Sequence, residues 1–128
     1  MPDYSNSKYE ITIVAERIFK VTPFEGIELD ANDVYEMRKL YLNFSEGRPF
    51  AVLLDAANNF TPTDKARELL ATKEFAEKRV AAAFVTRTLA NKIVGNFFIK
   101  FNRPVSPTKL FTDEIAALEW LKEQMNNK

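Results

Sequence analysis

Gly95-Asn96-Phe97-Phe98-Ile99-Lys100-Phe101-Asn102-Arg103-Pro104 leads, after a short gap, to Lys109-Leu110-Phe111-Thr112-Asp113-Glu114 and then to Ala117-Leu118-Glu119-Trp120-Leu121. The first part completes a run of helical spacing over Leu89–Phe101, and the prolines at 104 and 107 make Asn102–Pro107 a turn. Lys109–Thr112 reads as a short strand. Asp113 then caps a last helix that carries Ile115, Leu118, Trp120 and Leu121. Helix, turn, strand and helix in this order form the closing unit of an alternating α/β chain.

Working towards the N-terminus, Val80–Thr86 and Phe50–Leu54 are continuous apolar runs, the latter ending in Asp55. Runs without alternation suit strands buried on both faces, in a sheet with helices on either side. Between them, Thr61-Pro62-Thr63-Asp64 opens a helical stretch through Leu70, with a break near Thr72 and a continuation carrying Phe75. Asp30 is a good N-cap with Asp33 three residues on, and Val34, Met37, Leu40, Tyr41 and Phe44 follow at helical spacing as far as Gly47. Tyr9–Val14 and Ile18–Val21 read as a hairpin turning at Glu16-Arg17 and ending in Thr22–Gly26. The expected order is β-β-α-β-α-β-α-β-α. It makes a single-domain mixed β-sheet with helices packed on it, because parallel neighbours require helical crossovers. The domain is placed at 9–126, after an N-terminal extension over 1–8.

The composition narrows the chemistry. The chain has 128 residues, enough for one hydrophobic core, and is 46% hydrophobic and 28% charged, as an ordinary globular domain is. It has no Cys and no His, which removes thiolate nucleophiles, zinc–thiolate sites and the side chain best suited to proton transfer near neutrality. With 3 Gly, at 26, 47 and 95, no phosphate-cradling loop or dinucleotide fingerprint can be written. No cofactor is expected. Charged residues interrupt Met1–Lys20, so no signal peptide is read there, and the apolar runs fall short of the roughly 20 residues of a spanning helix. The expected location is cytoplasmic, with peripheral association at the inner face of the membrane as an extension of that reading.

Over most of its length the chain resembles the SpoIIAA-like family, STAS-related proteins also described as STAS/SEC14-like. The resemblance is carried by Phe50–Asp55 with Thr61–Arg67, and more specifically by Gly95–Pro104, Lys109–Glu114 and Ala117–Leu121. It implies the SpoIIAA/STAS-like sheet, with apolar-ligand binding and membrane association as themes, and it implies no reaction. Such families include anti-anti-sigma regulators that are switched by phosphorylation of a serine in an Asp-Ser-Ser-Gly-like motif at the second helix. Thr61 and Thr63 occupy roughly that region, but neither directly follows an aspartate and no glycine comes after, so the switch does not carry over.

Candidate sites compete with structural explanations. Asp30-Ala31-Asn32-Asp33 lacks the glycine and terminal glutamate of a calcium loop, and capping accounts for it. Thr61 with Asp64 is close to a capping box, which explains the threonine without phosphorylation. Charge is the most informative pattern. Met1–Glu77 carries −5, Lys78–Thr112 carries +7 with no acidic residue, and the remainder −2. The basic set comprises Lys78, Arg79, Arg87, Lys92, Lys100, Arg103 and Lys109. At about 100° per residue, Leu89, Ile93, Val94, Phe97 and Phe101 form one stripe, read as core, with Asn91, Lys92 and Asn96 away from it. Phe98 lies at its margin and Ile99 on the polar side, a surplus of apolar surface beside positive charge.

The leading functional reading is a non-enzymatic binding or regulatory module that holds an apolar or anionic ligand, associates with a membrane, or docks a protein. Its expected surface comprises Asp55, Asn58, Thr61, Arg87, Lys92, Asn96, Phe98, Ile99, Lys100 and Arg103. Two alternatives stand beside it: an anti-anti-sigma-type interaction regulator without the phosphoserine motif, and a small enzyme using Asp55 at a strand's carboxyl end, where open α/β sheets place ligands. The partners considered are a lipid or small ligand, a protein, and a second copy in a homodimer. Nucleic acid fits poorly, since the net charge is +0 and no base-reading motif is present.

Overall fold

The strands follow from the apolar runs. In the computed structural model, which describes residues 1–127, β1 (Tyr4–Ser5), β2 (Tyr9–Ala15), β3 (Ile18–Pro23), β5 (Phe50–Ala56), β7 (Arg79–Thr86) and β8 (Thr108–Phe111) form one sheet in the order β1-β2-β3-β5-β7-β8. The first three strands pair antiparallel and the rest parallel, so the sheet is mixed as expected. The β2–β3 hairpin turns at Glu16-Arg17, with Arg17 in the left-handed region at φ 56°. Two pairings go beyond the sequence reading. Tyr4–Ser5, ahead of the expected first strand, pairs with Glu10–Ile11, and β4 (Glu28–Leu29) pairs in parallel with β6 (Thr61–Pro62) in a small second sheet.

The helices are α1 (Ala31–Phe44), α2 (Asp64–Leu70), α3 (Lys73–Ala76), α4 (Leu89–Phe97) and α5 (Glu114–Asn126). The capping box at α1 is complete: the Asp33 amide donates to the Asp30 carboxylate at 3.0 Å, and the Asp30 amide donates to the Asp33 carboxylate at 2.9 Å. At α2 the cap is Thr63 and not Thr61. The Ala66 amide donates to Thr63 Oγ1 at 3.1 Å, while the Thr61 backbone is held in β6 by its bond to the Ile27 carbonyl. The run expected as one helix over 89–101 changes at Phe97 into a π-helical turn, Phe98–Asn102, closed by Arg103 at φ 49°.

Two cores lie on opposite faces of the sheet. On one, Tyr9, Ile11, Phe19 and Val21 meet Met37 and Tyr41 of α1, with the Phe19 and Tyr41 rings stacked at 5.7 Å. On the other, Ala51, Leu53, Ala81, Ala83 and Val85 meet Ala117 and Leu121 of α5. The alternation that splits β5 between these faces is the period of two of any strand. The alanines of β7 leave room for α5 to sit close, and Leu121 is fully buried there, a position where truncation to Ala typically costs about 2–5 kcal/mol.

The stripe on α4 is a correction. Asn91, Gly95 and Phe98 face inwards, whereas Leu89, Ile93, Phe97 and Phe101 are exposed. Of the stripe expected in the core, Val94 alone is partly buried. Gly95 explains the choice of face, because a Cβ there would lie 2.8 Å from Leu110 Cδ2, so only a glycine lets the helix approach this closely with Leu110 in place.

Candidate functional site

The face of the sheet covered by α1 to α4 is incompletely filled. Val52 and Leu54 of β5 and Ala82 and Phe84 of β7 form an apolar floor. The helices close over it and leave a cavity of about 130 Å³. Its walls include three arginines, Arg38, Arg67 and Arg79, and no Asp or Glu.

Arg79 opens β7, and its side chain reaches back under α2. Its Nε donates to Ser106 Oγ at 3.0 Å and its Nη2 donates to the Leu70 carbonyl at 3.0 Å. Burial lowers its pKa to about 10, and the like charge of Arg38 pushes in the same direction, so the guanidinium stays protonated at neutral pH. Arg38 projects from α1 over the Phe75 ring, 5.4 Å from its centre, and its Nη1 is buried without a hydrogen-bond partner. Among the described residues neither Arg38 nor Arg79 forms an ion pair. Arg67 differs. It pairs with Asp64 and donates from Nη1 to the Pro62 carbonyl at 2.9 Å, yet its Nε is also buried and unpartnered. The Tyr41 hydroxyl, raised above the usual phenol value by burial, is neutral.

Buried charges in proteins are ordinarily paired, because removing an ion from water without a counter-charge is expensive. A cavity with an apolar floor, two unpaired guanidiniums and no carboxylate is chemically complementary to an anion with an apolar body.

Of the residues expected to form the site, Phe98 alone lines this cavity, tilted against Phe84 at 5.8 Å. Asp55 lies two residues after Leu53 and so on the same, α5 side of the sheet. One oxygen accepts from the Ala57 amide at 3.2 Å and lies 3.9 Å from Arg87 Nε. Asn58 donates to the Pro23 carbonyl at 3.1 Å. Thr61, Arg87, Lys92, Asn96, Lys100 and Arg103 are exposed, and Ile99 is half-buried. The sequence reading passes over the cavity arginines, although one sign of them is present: Val34, Arg38 and Tyr41 lie at i, i+4 and i+7, which places a charge within the apolar stripe of α1.

Among the described residues no group of three or more acidic side chains is arranged to hold a metal, and no helix is long and apolar enough to cross a membrane.

The mixed sheet with helices on both faces is a SpoIIAA-like fold. It matches the crystal structure of an uncharacterised protein from the DUF3478 family, with a SpoIIAA-like fold, from Shewanella loihica PV-4, at a TM-score of 0.63 and 18% identity, over 92% of this chain and 98% of that one. The chain belongs to the family described as Domain of unknown function (DUF7793), which matches residues 11–125. No curated protein matches it.

Proposed function

We propose that the protein is a non-catalytic receptor for a small apolar carboxylate, held in the cavity with its carboxylate towards Arg38 and Arg79. The observation that carries this reading is the pair of partly buried guanidiniums without a carboxylate partner, in a cavity whose floor is apolar. A single charge contact at about 4 Å gains about 4 kcal/mol at the effective dielectric of a partly buried site, and it offsets the desolvation that the arginines have already undergone. The apolar body gains about 0.8 kcal/mol per buried methylene.

Size limits the ligand. An apolar cavity of about 150 Å³ accommodates benzene, so about 130 Å³ encloses no more than about six carbons, which leaves the end of an octanoate chain at the cavity mouth and most of a long acyl chain outside. The test is calorimetric titration with octanoate, octanol and palmitate. Octanoate is expected to bind and to raise the melting temperature. Octanol is expected to bind at least about tenfold more weakly, since a hydrogen bond to a charged group contributes about 1.5–3 kcal/mol. Equal binding of octanoate and octanol, or binding of neither by folded protein, refutes the proposal.

A further inference from the structure

The carboxyl ends of β7 and β8 carry a second opening, separate from the cavity arginines. The two strands are parallel neighbours, with Val85 opposite Phe111, and the chain leaves them in opposite directions. β7 leads to α4 over the cavity, and β8 leads to α5 on the other face of the sheet. Where neighbouring connections diverge in this way, a crevice forms outside the strand ends, and open α/β sheets place ligands there. Here the crevice is a groove of about 360 Å³, lined among others by Thr86 at the end of β7, Lys92 of α4, Lys109 and Phe111 of β8, and Asp113 and Ala116 at the start of α5.

Thr86 is only 4% exposed, yet its hydroxyl takes part in no hydrogen bond among the described residues, although buried hydroxyls ordinarily do. Lys92 and Lys109 form no ion pair among the described residues, and the Lys109 ammonium lies 5.3 Å from the centre of the Phe111 ring. The acidic residues at the start of α5 are engaged elsewhere. Glu114 lies 3.4 Å from the Lys20 ammonium, and the Asp113 carboxylate caps the helix by accepting from the Ala116 amide at 3.1 Å. The positive end of a 13-residue helix thus meets two unpaired ammoniums and a buried, unpartnered hydroxyl in one groove. We propose that the groove binds a small, soluble phosphate monoester. Its phosphoryl oxygens accept from Lys92, Lys109 and the Thr86 hydroxyl, and its organic group lies against Phe111 and Ala116. A dianion meets both ammonium charges, which a single carboxylate does not. A groove of this volume is in the range that holds a whole small molecule and exceeds what a bare phosphate fills. Thr86 alone lines both the groove and the cavity, so the two sites are otherwise separate.

The experiment is calorimetric titration of the full chain with phenyl phosphate, inorganic phosphate and phenol at one ionic strength. Phenyl phosphate is expected to bind, inorganic phosphate to bind more weakly, and phenol at least about tenfold more weakly than phenyl phosphate, since charge-assisted hydrogen bonds are the strong ones. Lys92→Gln/Lys109→Gln, at two exposed positions, should reduce phenyl phosphate affinity at least about tenfold. Thr86→Val keeps the shape of the side chain and should reduce it about threefold or more. Asp113→Asn keeps a capping oxygen and removes a like charge from the groove, so it should raise the affinity about twofold or more. Thermal melts confirm that each variant is folded. Arg38→Met should leave phenyl phosphate binding unchanged, and the lysine variant should leave octanoate binding unchanged, so the groove and the cavity can fail independently. The proposal is overturned if folded protein does not bind phenyl phosphate, if the lysine pair can be replaced without loss, if phenol binds equally well, or if Arg38→Met abolishes the binding and so places it in the cavity.

Discussion

Asn91 Nδ2 lies 2.9 Å from the carbonyl oxygen of Ala56, at the end of β5, and the same nitrogen lies 2.8 Å from the carbonyl of Asn58. One amide thus joins α4 to the strand end and to the loop after it, and satisfies two carbonyls that water reaches poorly. This polar anchor turns the helix so that its longest apolar row faces outwards. Asn91→Ala leaves those carbonyls without their donor, which costs about 1–3 kcal/mol. Ile93→Ser, two residues on at a side chain 59% exposed, is expected to change stability by no more than about 0.5 kcal/mol. Chemical denaturation of both variants checks the orientation, and a larger loss at Ile93 than at Asn91 refutes it.

Removing a charge from the cavity wall should separate stability from binding. Arg38 makes no ion pair among the described residues, and its Nη1 has no hydrogen-bond partner. Arg38→Met keeps an apolar stem of similar length over the Phe75 ring and removes a partly buried charge that has no carboxylate partner, so the unliganded variant should be about as stable as the parent, within about 1 kcal/mol. Octanoate affinity should fall by about tenfold or more, the equivalent of about 1.4 kcal/mol for one charged hydrogen bond. Melting curves with and without octanoate measure both quantities. A variant that is destabilised and binds octanoate unchanged would falsify the role given to Arg38.

Filling the cavity is a complementary test. Ala82 is buried on β7 and lines the floor. Ala82→Leu directs added carbons into space that is already empty, so the usual overpacking penalty of about 1–3 kcal/mol should be largely avoided. Octanoate titration should show lost binding at a melting temperature near that of the parent. Unaltered affinity would place the octanoate site outside the cavity.

The legible and illegible parts of this chain differ for a physical reason. Phe50–Asp55, Val80–Thr86 and the helix after Asp113 are readable because strand runs and caps are local signals, and the observed β5, β7 and α5 lie where those signals put them. The orientation of α4 is not readable from periodicity. Helical spacing identifies the apolar side of a helix without saying what that side meets, and here it faces outwards because Asn91 and Gly95 meet β5 and Leu110. The cavity is hidden for a similar reason. It is assembled from arginines on α1, α2 and β7, which only the tertiary fold brings together, although Arg38 within the Val34–Tyr41 stripe is a trace of it. The two-residue strands β1, β4 and β6 are too short to carry a pattern of their own.

The cap of α1 makes the last prediction, on pH. The Asp30 carboxyl is held below its ordinary value, chiefly by the hydrogen bond from the Asp33 amide, with Lys8 3.7 Å away adding to the effect. A carboxyl lowered on folding contributes stability that is present above the unfolded value of about 3.9 and is lost as pH falls through the lowered folded value. Lys8 shifts upwards, mainly through its hydrogen bond to Asp33 at 2.8 Å, so its contribution is present below its ordinary value and is lost as pH rises through the raised one. Both contributions are therefore present across the neutral range. Asp30→Ala should lower the melting temperature at neutral pH, and the gap to the parent should narrow on the acid side once the parent's carboxyl takes up a proton. Melting curves of the two proteins from neutral to acid pH test this. A gap that stays constant to the acid end would mean that Asp30 acts through its shape alone, and the ionised cap would have to be abandoned.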